Sequence, residues 1–463
     1  MGTGSVTVVG GGICGLAVAH RLARSGHRVT LLEGSDQLGG LGTFFPWRDG
    51  WVERFYHCVM PSDDDLLGLL DELGLRDTVG WRRTSMGMVV GGRHHPFNTA
   101  ADLLRFSPLR PLDRVRFGVV SLLLRQLGRG RDLDRTRTED WLRGLYGDAV
   151  WETLLAPMFG AKFGRSFPDV PALYLWQRLG RERNVATRGY PAGGYKSIID
   201  ALRAALEARG ATVRVSTPVE RMSVLDAGMR VTLPGGETLD ADRVVSTLPL
   251  PQLRRVADDD LAARLPAVEV PYQGVVNALF FLRRPLAGHY WTPVVRSGTD
   301  FDGLVEMSAL AGVAPYDGRH LAYAMRYVDR DDPLFHEDDA GIAARWTEQL
   351  CTLYSGLPLR AADVDEVRVF KAPFVEPVYP LGYLARRPPV EVAGTSLLLA
   401  TTAHVYPAVT SWNSSVRLAN QVAAAIGTAT AARDSAGDSA GDPDPASSRR
   451  TAAAIRADGD PVP

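Results

Sequence analysis

Hydrophobic and polar positions at the start of the chain follow the pattern of a strand–helix–strand unit. Residues 5–9 form a short β-branched run, residues 13–25 carry apolar side chains at helical spacing, and residues 28–32 form a second strand-like run. Short glycine-containing turns join the three segments. The chain is therefore predicted to open with a βαβ unit.

Beyond this unit, a helical region precedes a strand-rich second half. Residues 62–188 have mostly helical spacing, and residues 195–209 form an amphipathic helix that ends at Gly210. Short strand patterns fill 212–247, and longer ones lie within 270–330. The last elements are a helix over 341–355, a buried-type strand at 396–400 and a helix over 414–426. This order predicts an α/β fold in which a Rossmann-like domain is interleaved with an α+β domain.

The length of 463 residues exceeds what one hydrophobic core supports, so at least two domains are expected. We assign 1–61, 189–250 and 391–427 to the Rossmann-like domain, and 62–188 with 251–390 to the second domain. Residues 428–463 are rich in Ala, Asp, Gly, Pro and Ser and show no apolar periodicity. This composition predicts a disordered tail, with a docking peptide for a partner as the alternative.

Composition narrows the classes of partner. The formal net charge of −1 gives no electrostatic case for binding nucleic acid. Cys14, Cys58 and Cys351 lie far apart, which argues against a disulfide framework or a metal site and suits a cytoplasmic protein. The N-terminus has no pattern of a signal peptide. The apolar run at 113–127 is too short to span a bilayer, so it is either a core helix or a peripheral membrane contact.

A glycine motif connects the first strand to the first helix. Gly10, Gly12 and Gly15 match G-x-G-x-x-G, which permits a tight turn, the approach of a pyrophosphate to the backbone, and close packing of helix on sheet. Glu33 follows Gly15 by 33 − 15 = 18 residues, at the end of the second strand, where an acid accepts the ribose hydroxyls of a dinucleotide. An acid in this position disfavours the 2′-phosphate of NADP. A second glycine cluster then follows, comprising Gly39, Gly40, Leu41 and Gly42.

Glu33 and the second cluster resemble the E-x-x-x-x-x-G-G signature of flavoproteins with two dinucleotide-binding domains. The segments ERFYH, GAKFG, GYPAGG, VVSTLP and LLLATTAHVYP…WNSSVRLANQVA follow in a similar order over about residues 5–427. Together they resemble the protoporphyrinogen-oxidase-like branch of the FAD-dependent amine oxidase and phytoene desaturase superfamily. UDP-galactopyranose mutase is a more distant relative. The resemblance implies an FAD-binding domain of the GR2 type and a substrate domain.

The resemblance also implies further contacts with FAD, at Val219, Thr247, Thr402, Ser414 and Val416. Val219 would meet the adenine through its backbone, Thr247 would end the strand that passes the cofactor, and Ser414 to Val416 would bring a helix N-terminus to the flavin. Such a terminus stabilises negative charge on the reduced ring. The chain departs from the superfamily at Thr402, because an acid commonly contacts the ribityl chain there.

Four residues are candidates for catalysis beside the flavin: His57, Lys162, Glu306 and Tyr406. His57 could relay a proton or be a structural residue beneath the ring. Lys162 could bind an anionic group or lie near the flavin, with a structural ion pair as the alternative. Glu306 could act on the substrate or pair with an arginine inside the fold. Close relatives carry E-H-T-N there, and Met307 departs from that pattern. Tyr406 could face the flavin, whereas Trp412 is expected to pack in the core.

Three functions follow from these residues. The first is an FAD-dependent oxidase or dehydrogenase that takes a hydride from a mid-sized organic substrate and forms C=C, C=N or C=O. Molecular oxygen is the expected acceptor, because no second G-x-G-x-x-G is present for NADPH. The second is a non-redox enzyme in which reduced flavin attacks a sugar nucleotide, as in the mutases. The third is a flavin-binding partner subunit without turnover.

Overall fold

A computed structural model describes residues 4–164, 170–181, 186–357 and 359–437. Its strands are β1 (Ser5–Val9), β2 (Arg28–Leu32), β3 (Phe44–Trp47), β4 (Gly50–Glu53), β5 (Val79–Arg83), β6 (Gly87–Val90), β7 (Arg93–Pro96), β8 (Thr187–Pro191), β9 (Thr212–Arg214), β10 (Arg221–Val224), β11 (Met229–Thr232), β12 (Thr238–Ala241), β13 (Arg243–Ser246), β14 (Tyr272–Leu282), β15 (Trp291–Val295), β16 (Gly303–Glu306), β17 (His320–Val328), β18 (Val364–Pro377) and β19 (Leu397–Leu399).

The helices are α1 (Ile13–Arg24), α2 (Asp64–Glu72), α3 (Ala100–Arg105), α4 (Pro111–Gly128), α5 (Thr138–Tyr146), α6 (Asp148–Val150), α7 (Ala156–Phe163), α8 (Ala172–Arg181), α9 (Gly194–Glu207), α10 (Leu250–Val256), α11 (Asp259–Arg264), α12 (Ser308–Ala311), α13 (Pro333–His336), α14 (Asp339–Leu353) and α15 (Trp412–Gly437). A π-helical turn, Trp151–Leu155, joins α6 to α7. Among the described residues, none of the helices combines the length and the apolar character that crossing a bilayer requires.

A five-stranded parallel sheet forms the Rossmann-like part of the fold, with the order β19-β13-β1-β2-β9. Its strands are short runs of β-branched and leucine side chains, as expected for strands covered on both faces. The helices α1, α9 and α15 pack together on the sheet around a core that includes Leu16, Leu31 and Val416. This α/β architecture with a parallel sheet confirms the predicted fold class.

A seven-stranded mixed sheet, β18-β14-β17-β16-β15-β6-β7, forms the second large layer. All eleven residues of β14 are buried, because the strand lies between β17 and β18 and is covered on both faces. Met325, Val305 and Leu279 pack on one face and Trp346 with Phe280 on the other. The sequence patterns predict β14 and β17 almost as they are observed.

The region 62–188 is less helical than the sequence predicts. It contains β5, β6 and β7, of which β5 pairs antiparallel with β8 and the other two form the edge of the mixed sheet. The reason is tertiary. Each strand has only four or five residues, and β5 and β6 pair with β8 and β15 from far along the chain, so local spacing does not reveal them.

The two large sheets draw on different parts of the chain. The strands of the parallel sheet lie within 1–61, 189–250 and 391–427, and those of the mixed sheet lie within 62–188 and 251–390. We therefore retain this two-domain division as a proposal. The last helix, α15, continues to Gly437, and the rest of the predicted tail lies outside the described residues.

Candidate functional site

The first glycine motif leaves no room for side chains at two of its three positions. A Cβ atom on Gly15 would lie 1.9 Å from the carbonyl oxygen of Gly10, so only glycine lets α1 pack this close to the end of β1. A Cβ atom on Gly10, where φ is +104°, would lie 2.2 Å from the hydroxyl oxygen of Thr247. At Gly12 the nearest atom to such a Cβ is the Cα of Gly40, at 3.9 Å. The space above Gly12 is therefore open.

The second glycine cluster lies directly opposite the first. The N–H of Gly39 donates to the carbonyl oxygen of Gly11 over 2.8 Å, and Gly39 itself has a φ of +119°. A Cβ atom on Gly42 would lie 2.4 Å from the indole of Trp412, so this glycine admits the aromatic ring. The two loops thus form the walls of a crevice at the carboxyl ends of β1 and β2.

Glu33 closes one end of the crevice, and its carboxylate is held by backbone groups. One oxygen, Oε2, accepts from the N–H of Gly11 at 2.7 Å, and Oε1 accepts from the N–H and the hydroxyl of Ser35, both at 2.8 Å. The N–H of Thr217 donates to the backbone carbonyl of Glu33 at 2.8 Å, which brings the segment containing Val219 beside the acid. The carboxylate is therefore fixed where a ribose could bind.

These features fit the adenosine diphosphate part of FAD. The N-terminus of α1 at Gly12 has no side-chain cap and no acid in its first turn. Its N–H groups and helix dipole therefore remain available to a pyrophosphate, for which the open space at Gly12 leaves room. Glu33 would hold the ribose hydroxyls. The residues present thus match the chemistry of the dinucleotide.

A cavity of about 690 Å³ extends from this crevice into the space between the two large sheets. Of the residues that the sequence predicts for the site, the cavity wall includes Gly12, Gly39, Leu41, His57, Lys162, Thr247 and Thr402. The far end is lined by apolar side chains, among them Met88, Phe117, Leu155, Met158 and Phe159. The cavity therefore offers a cofactor crevice, a polar middle and an apolar chamber.

His57 lies in the cavity wall and packs against the rings of both Tyr195 and Trp412, whose centroids are 4.9 and 5.6 Å away. Its Nδ1 atom lies 2.9 Å from the carbonyl oxygen of Phe55, which can only accept, so Nδ1 carries the proton of the neutral ring. Burial lowers the pKa of His57 to about 4. The imidazole is therefore uncharged at neutral pH and presents Nε2 as an acceptor.

Lys162, at the C-terminal end of α7, belongs to a buried polar network in the cavity wall. Its Nζ atom lies 3.2 Å from Oε2 of Glu376 and 3.4 Å from the hydroxyl of Tyr327, whose ring it also faces at 4.4 Å. The other oxygen of Glu376 accepts from the hydroxyl of Tyr174. Burial lowers the pKa of Lys162, whereas the neighbouring carboxylate opposes that shift. A lysine in this setting loses its proton more readily than one in water.

Glu306 lies elsewhere, which corrects the expectation that it acts on the substrate. It is buried at the end of β16, and the N–H groups of Leu286 and Gly288 donate to its two carboxylate oxygens at 3.1 and 2.8 Å. It is not among the residues of the described chain that line the cavity. The carboxylate instead fixes the loop before β15. The alternative expectation, an ion pair with an arginine, does not describe these contacts either.

Tyr406 also lies away from the cavity wall that the structure describes. Its ring is fully buried among Tyr174, Tyr379 and Tyr383, and its hydroxyl donates to Oδ1 of Asp134 at 2.5 Å. The residue therefore has a packing role in this structure. Trp412, which the sequence places in the core, lines the cavity as well as packing edge-on against Tyr195 at 4.5 Å.

The start of α15 approaches the cavity, but through different residues than the sequence indicates. The hydroxyl of Ser414 donates to the carbonyl oxygen of Val409 at 2.8 Å, and Val416 is fully buried in the core of the parallel sheet. The side of the helix that lines the cavity carries Trp412 and Ser415. The structure therefore places Trp412 and Ser415 in the cavity wall, and not the predicted Ser414 and Val416.

Thr247 and Thr402, the two threonines that the sequence predicts at the cofactor, already form hydrogen bonds within the protein. The hydroxyl of Thr247 donates to the carbonyl oxygen of Val9 at 3.0 Å, which ties β13 to β1. The hydroxyl of Thr402 lies 2.8 Å from that of Tyr272. Because a hydroxyl can donate and accept at once, Thr402 keeps the capacity for one further bond to a cofactor hydroxyl.

Several polar residues of the cavity wall were missed by the sequence reasoning: Tyr56, Arg178, Asp302, Tyr327 and Glu376. Burial raises the pKa of Asp302 to about 6, and the guanidinium of Arg326 opposes the shift. The alternating pattern of residues 364–377 is the signal that could have revealed β18 and thereby Glu376. No local signal marks the others as parts of a site.

Comparisons with known proteins agree with this geometry. A family model described as flavin containing amine oxidoreductase matches residues 13–422. A Mycobacterium tuberculosis protein named as a flavin-containing monoamine oxidase is 26% identical over 415 residues, which cover 83% of this chain and 83% of that protein.

Solved structures share the fold. A protein of Exiguobacterium sp. 255-15 described as a protoporphyrinogen oxidase is 20% identical and superposes with a TM-score of 0.72, over 92% of this chain and 99% of its own. Reduced UDP-galactopyranose mutase is 17% identical and superposes with a TM-score of 0.71, over 93% of this chain and 95% of its own.

The family match begins at the first residue of α1, spans nearly the whole of the described chain, and includes Glu33, the second glycine cluster, nearly all of the cavity wall and the start of α15. It confirms the resemblance that the sequence motifs carry, and with it the assignment of FAD as the cofactor. The chain therefore belongs to the flavin containing amine oxidoreductase family and is an FAD-dependent oxidoreductase.

Proposed function

We propose that the enzyme oxidises a mid-sized, largely apolar organic substrate at a C–N, C–C or C–O bond and that oxygen is the terminal acceptor. The observation that carries the proposal is the continuous cavity of about 690 Å³, which runs from the glycine crevice past Lys162 and Glu376 to an apolar chamber. When bound, FAD supplies a hydride acceptor that oxygen can regenerate. The surrounding residues then need only to orient the substrate, exclude water and move a proton.

In this proposal Lys162 handles the proton. Burial lowers its pKa, so a neutral amine is available at lower pH than for a lysine in water, and it can accept a proton from a substrate N–H or O–H group. Glu376 and Tyr327 hold the ammonium that results, at 3.2 and 3.4 Å from Nζ. Met88, Phe117 and Phe159 would bind the apolar part of the substrate by excluding water.

The apolar chamber also favours redox chemistry over the mutase-like alternative. A sugar nucleotide would need cationic or polar groups for its diphosphate. Three basic residues of the described chain line the cavity. Lys162 is paired with Glu376, Arg178 lies near that pair, and Arg188 packs over the ring of Tyr290 at 4.6 Å. An apolar amine, alcohol or saturated hydrocarbon precursor matches the wall better.

The test is anaerobic reduction of the FAD-loaded protein by candidate apolar amines, alcohols and saturated precursors, followed at the flavin absorption maximum. We expect one class to bleach the flavin, and admission of air to restore the colour and release hydrogen peroxide. If no class bleaches it, and a sugar nucleotide is rearranged only after dithionite reduction, the proposal is wrong and the mutase-like function replaces it.

A matched pair of variants tests the role of Lys162. Lys162→Met should keep the flavin spectrum, lower the rate of flavin reduction about 100-fold or more, and flatten the alkaline rise of that rate with pH. Lys371 provides the control, because it is also largely buried (20% exposed, against 17% for Lys162) and is paired with Asp339 at 2.9 Å, away from the cavity wall. Lys371→Met should leave the rate and its pH profile unchanged.

A further inference from the structure

Apolar side chains are concentrated at the surface of one segment. Of the ten large hydrophobic residues that are exposed in the described chain, six lie between positions 104 and 123. They are Leu104, Leu112, Val115, Val119, Leu122 and Leu123, of which Leu112 is 84% and Leu122 is 74% exposed. We refer to these six residues as the α4 stripe. Contiguous apolar surface of this kind marks a contact with a partner or a membrane.

The stripe follows one side of a single helix. At 100° per residue, the five members that belong to α4 fall within an arc of about 100°. Leu104 adds to them from α3, which packs against α4. The stripe is therefore a straight ridge of exposed apolar side chains on the protein surface.

The same segment is strongly basic. Residues 104–131 contain seven arginines and one acidic residue, Asp113, whereas the whole chain has a formal net charge of −1. Arg105 and Arg110 precede α4, Arg125 lies in its last turn, and Arg129 and Arg131 follow it, all of them exposed. Apolar side chains flanked by arginines on a helix are the pattern of a segment that lies in the interface of an anionic bilayer.

The opposite face of α4 belongs to the cavity wall. Phe117 and Ser121 line the apolar chamber, and Leu124 is buried beside them. At 100° per residue, Phe117 and Ser121 lie on the side of α4 opposite to the stripe. The helix therefore has the stripe on its outer side and the chamber on its inner side. A partner or membrane in contact with the stripe would therefore lie within one helix diameter of the chamber.

We propose that the α4 stripe docks the enzyme onto the surface of an anionic lipid bilayer, with α4 lying parallel to the membrane plane. The aliphatic side chains enter the boundary between head groups and acyl chains, and the flanking arginines bind the lipid phosphates. A symmetric contact with a second copy of this chain would bring two sets of these five arginines close together, which the like charges oppose. Anionic lipid matches both the apolar and the charged part of the surface. The proposal is independent of the substrate.

Vesicle sedimentation with the full-length, FAD-loaded protein tests this docking. The probes are vesicles of equal parts phosphatidylglycerol and phosphatidylcholine, and vesicles of phosphatidylcholine alone. We expect binding to the anionic vesicles, much weaker binding to the neutral ones, and release in about 0.5 M salt, which screens the arginines. In the double variant Leu112→Asp/Leu122→Asp, partitioning should fall about tenfold or more, because two leucines no longer enter the lipid.

The control is Leu384→Asp, which changes a leucine that is 47% exposed and lies outside the stripe, and this variant should bind vesicles like the wild type. The flavin spectrum and thermal unfolding of each variant establish that it is folded. Failure of the wild type to bind anionic vesicles, or equal binding by the double variant, would overturn the proposal. The proposal would also be overturned if the wild type were a dimer that binds no vesicles and the double variant were a monomer. The stripe would then contact a second copy of this chain.

Discussion

The buried imidazole of His57 should make the stability of the protein depend on pH in the weakly acidic range. Burial lowers the pKa of His57 from 6.5 to about 4 in the folded protein. Between these two values the unfolded chain binds a proton that the folded protein does not. Stability is therefore fully present above pH 6.5 and is lost as the pH falls toward 4.

The size of the effect follows from the two pKa values. For pKa values of 6.5 and about 4, the linkage relation gives a loss of about 2 kcal/mol in the free energy of unfolding between pH 7.5 and pH 5. The variant His57→Gln has no group that titrates at this position, so it should lack this part of the pH dependence. Other ionisable groups contribute equally to both proteins and cancel in the comparison.

The assay is urea unfolding at pH 7.5 and pH 5 with FAD in excess, for the wild type and for His57→Gln. We expect the wild type to lose about 2 kcal/mol more than the variant. His336→Gln, which removes an exposed histidine, is the control and should behave like the wild type. If the wild type and His57→Gln lose the same free energy, the imidazole is protonated at its ordinary pH in the folded protein and the reasoning fails.

Three further predictions concern the cofactor crevice and the buried carboxylates. Gly12→Ala should fold normally and bind FAD at least about tenfold more weakly in a fluorescence titration, because the added Cβ enters open space in the crevice. Gly15→Ala should lose about 1–3 kcal/mol of stability in thermal unfolding, because its Cβ would clash with the backbone carbonyl oxygen of Gly10. Glu306→Gln should lower stability by about 1–3 kcal/mol without changing the flavin spectrum, since an amide has one oxygen to accept two N–H donors. Glu376→Gln should further lower the pKa of Lys162, so the pH profile of flavin reduction should shift to lower pH; an unchanged profile would exclude Lys162 as the titrating group.

The sequence indicates those parts of the candidate site that depend on local backbone geometry. The glycine motif, Glu33 and the second glycine cluster lie within residues 10–42, and each has its geometric reason in the structure. A close backbone approach requires glycine whatever the rest of the chain does, so the sequence alone reveals it. The βαβ unit and the buried strands β14 and β17 were predicted for the same kind of local reason.

The polar network at Lys162 could be predicted only in part. Lys162 was a candidate because it lies in the GAKFG segment that resembles the superfamily, but its partners come from β17 and β18, far along the sequence. Whether a buried carboxylate faces a cavity or a loop depends on tertiary packing. Glu306 and Glu376 show both outcomes, and neither their own residues nor their neighbours distinguish the two.

Tyr406 and Trp412 show the same limit for aromatic residues. Tyr406 precedes α15, Trp412 is the first residue of that helix, and both are buried, yet Tyr406 hydrogen-bonds to Asp134 and Trp412 faces the cavity. The direction of each side chain depends on the path of the loop between them. Sequence spacing does not specify that path.

The parallel sheet has a consequence for the synthesis of the protein. Its central strands β1 and β13 and its edge strand β19 come from the beginning, middle and end of the chain, and Cys14 on α1 donates to the carbonyl oxygen of Ala400, 386 positions away. At about 5–20 residues per second, the ribosome delivers β19 roughly 20–80 seconds after β1. Throughout that interval β13 lacks its outer neighbour and the cofactor crevice lacks α15. Stable FAD loading is therefore an event of the released chain, and nascent chains that stall before residue 412 should emerge colourless.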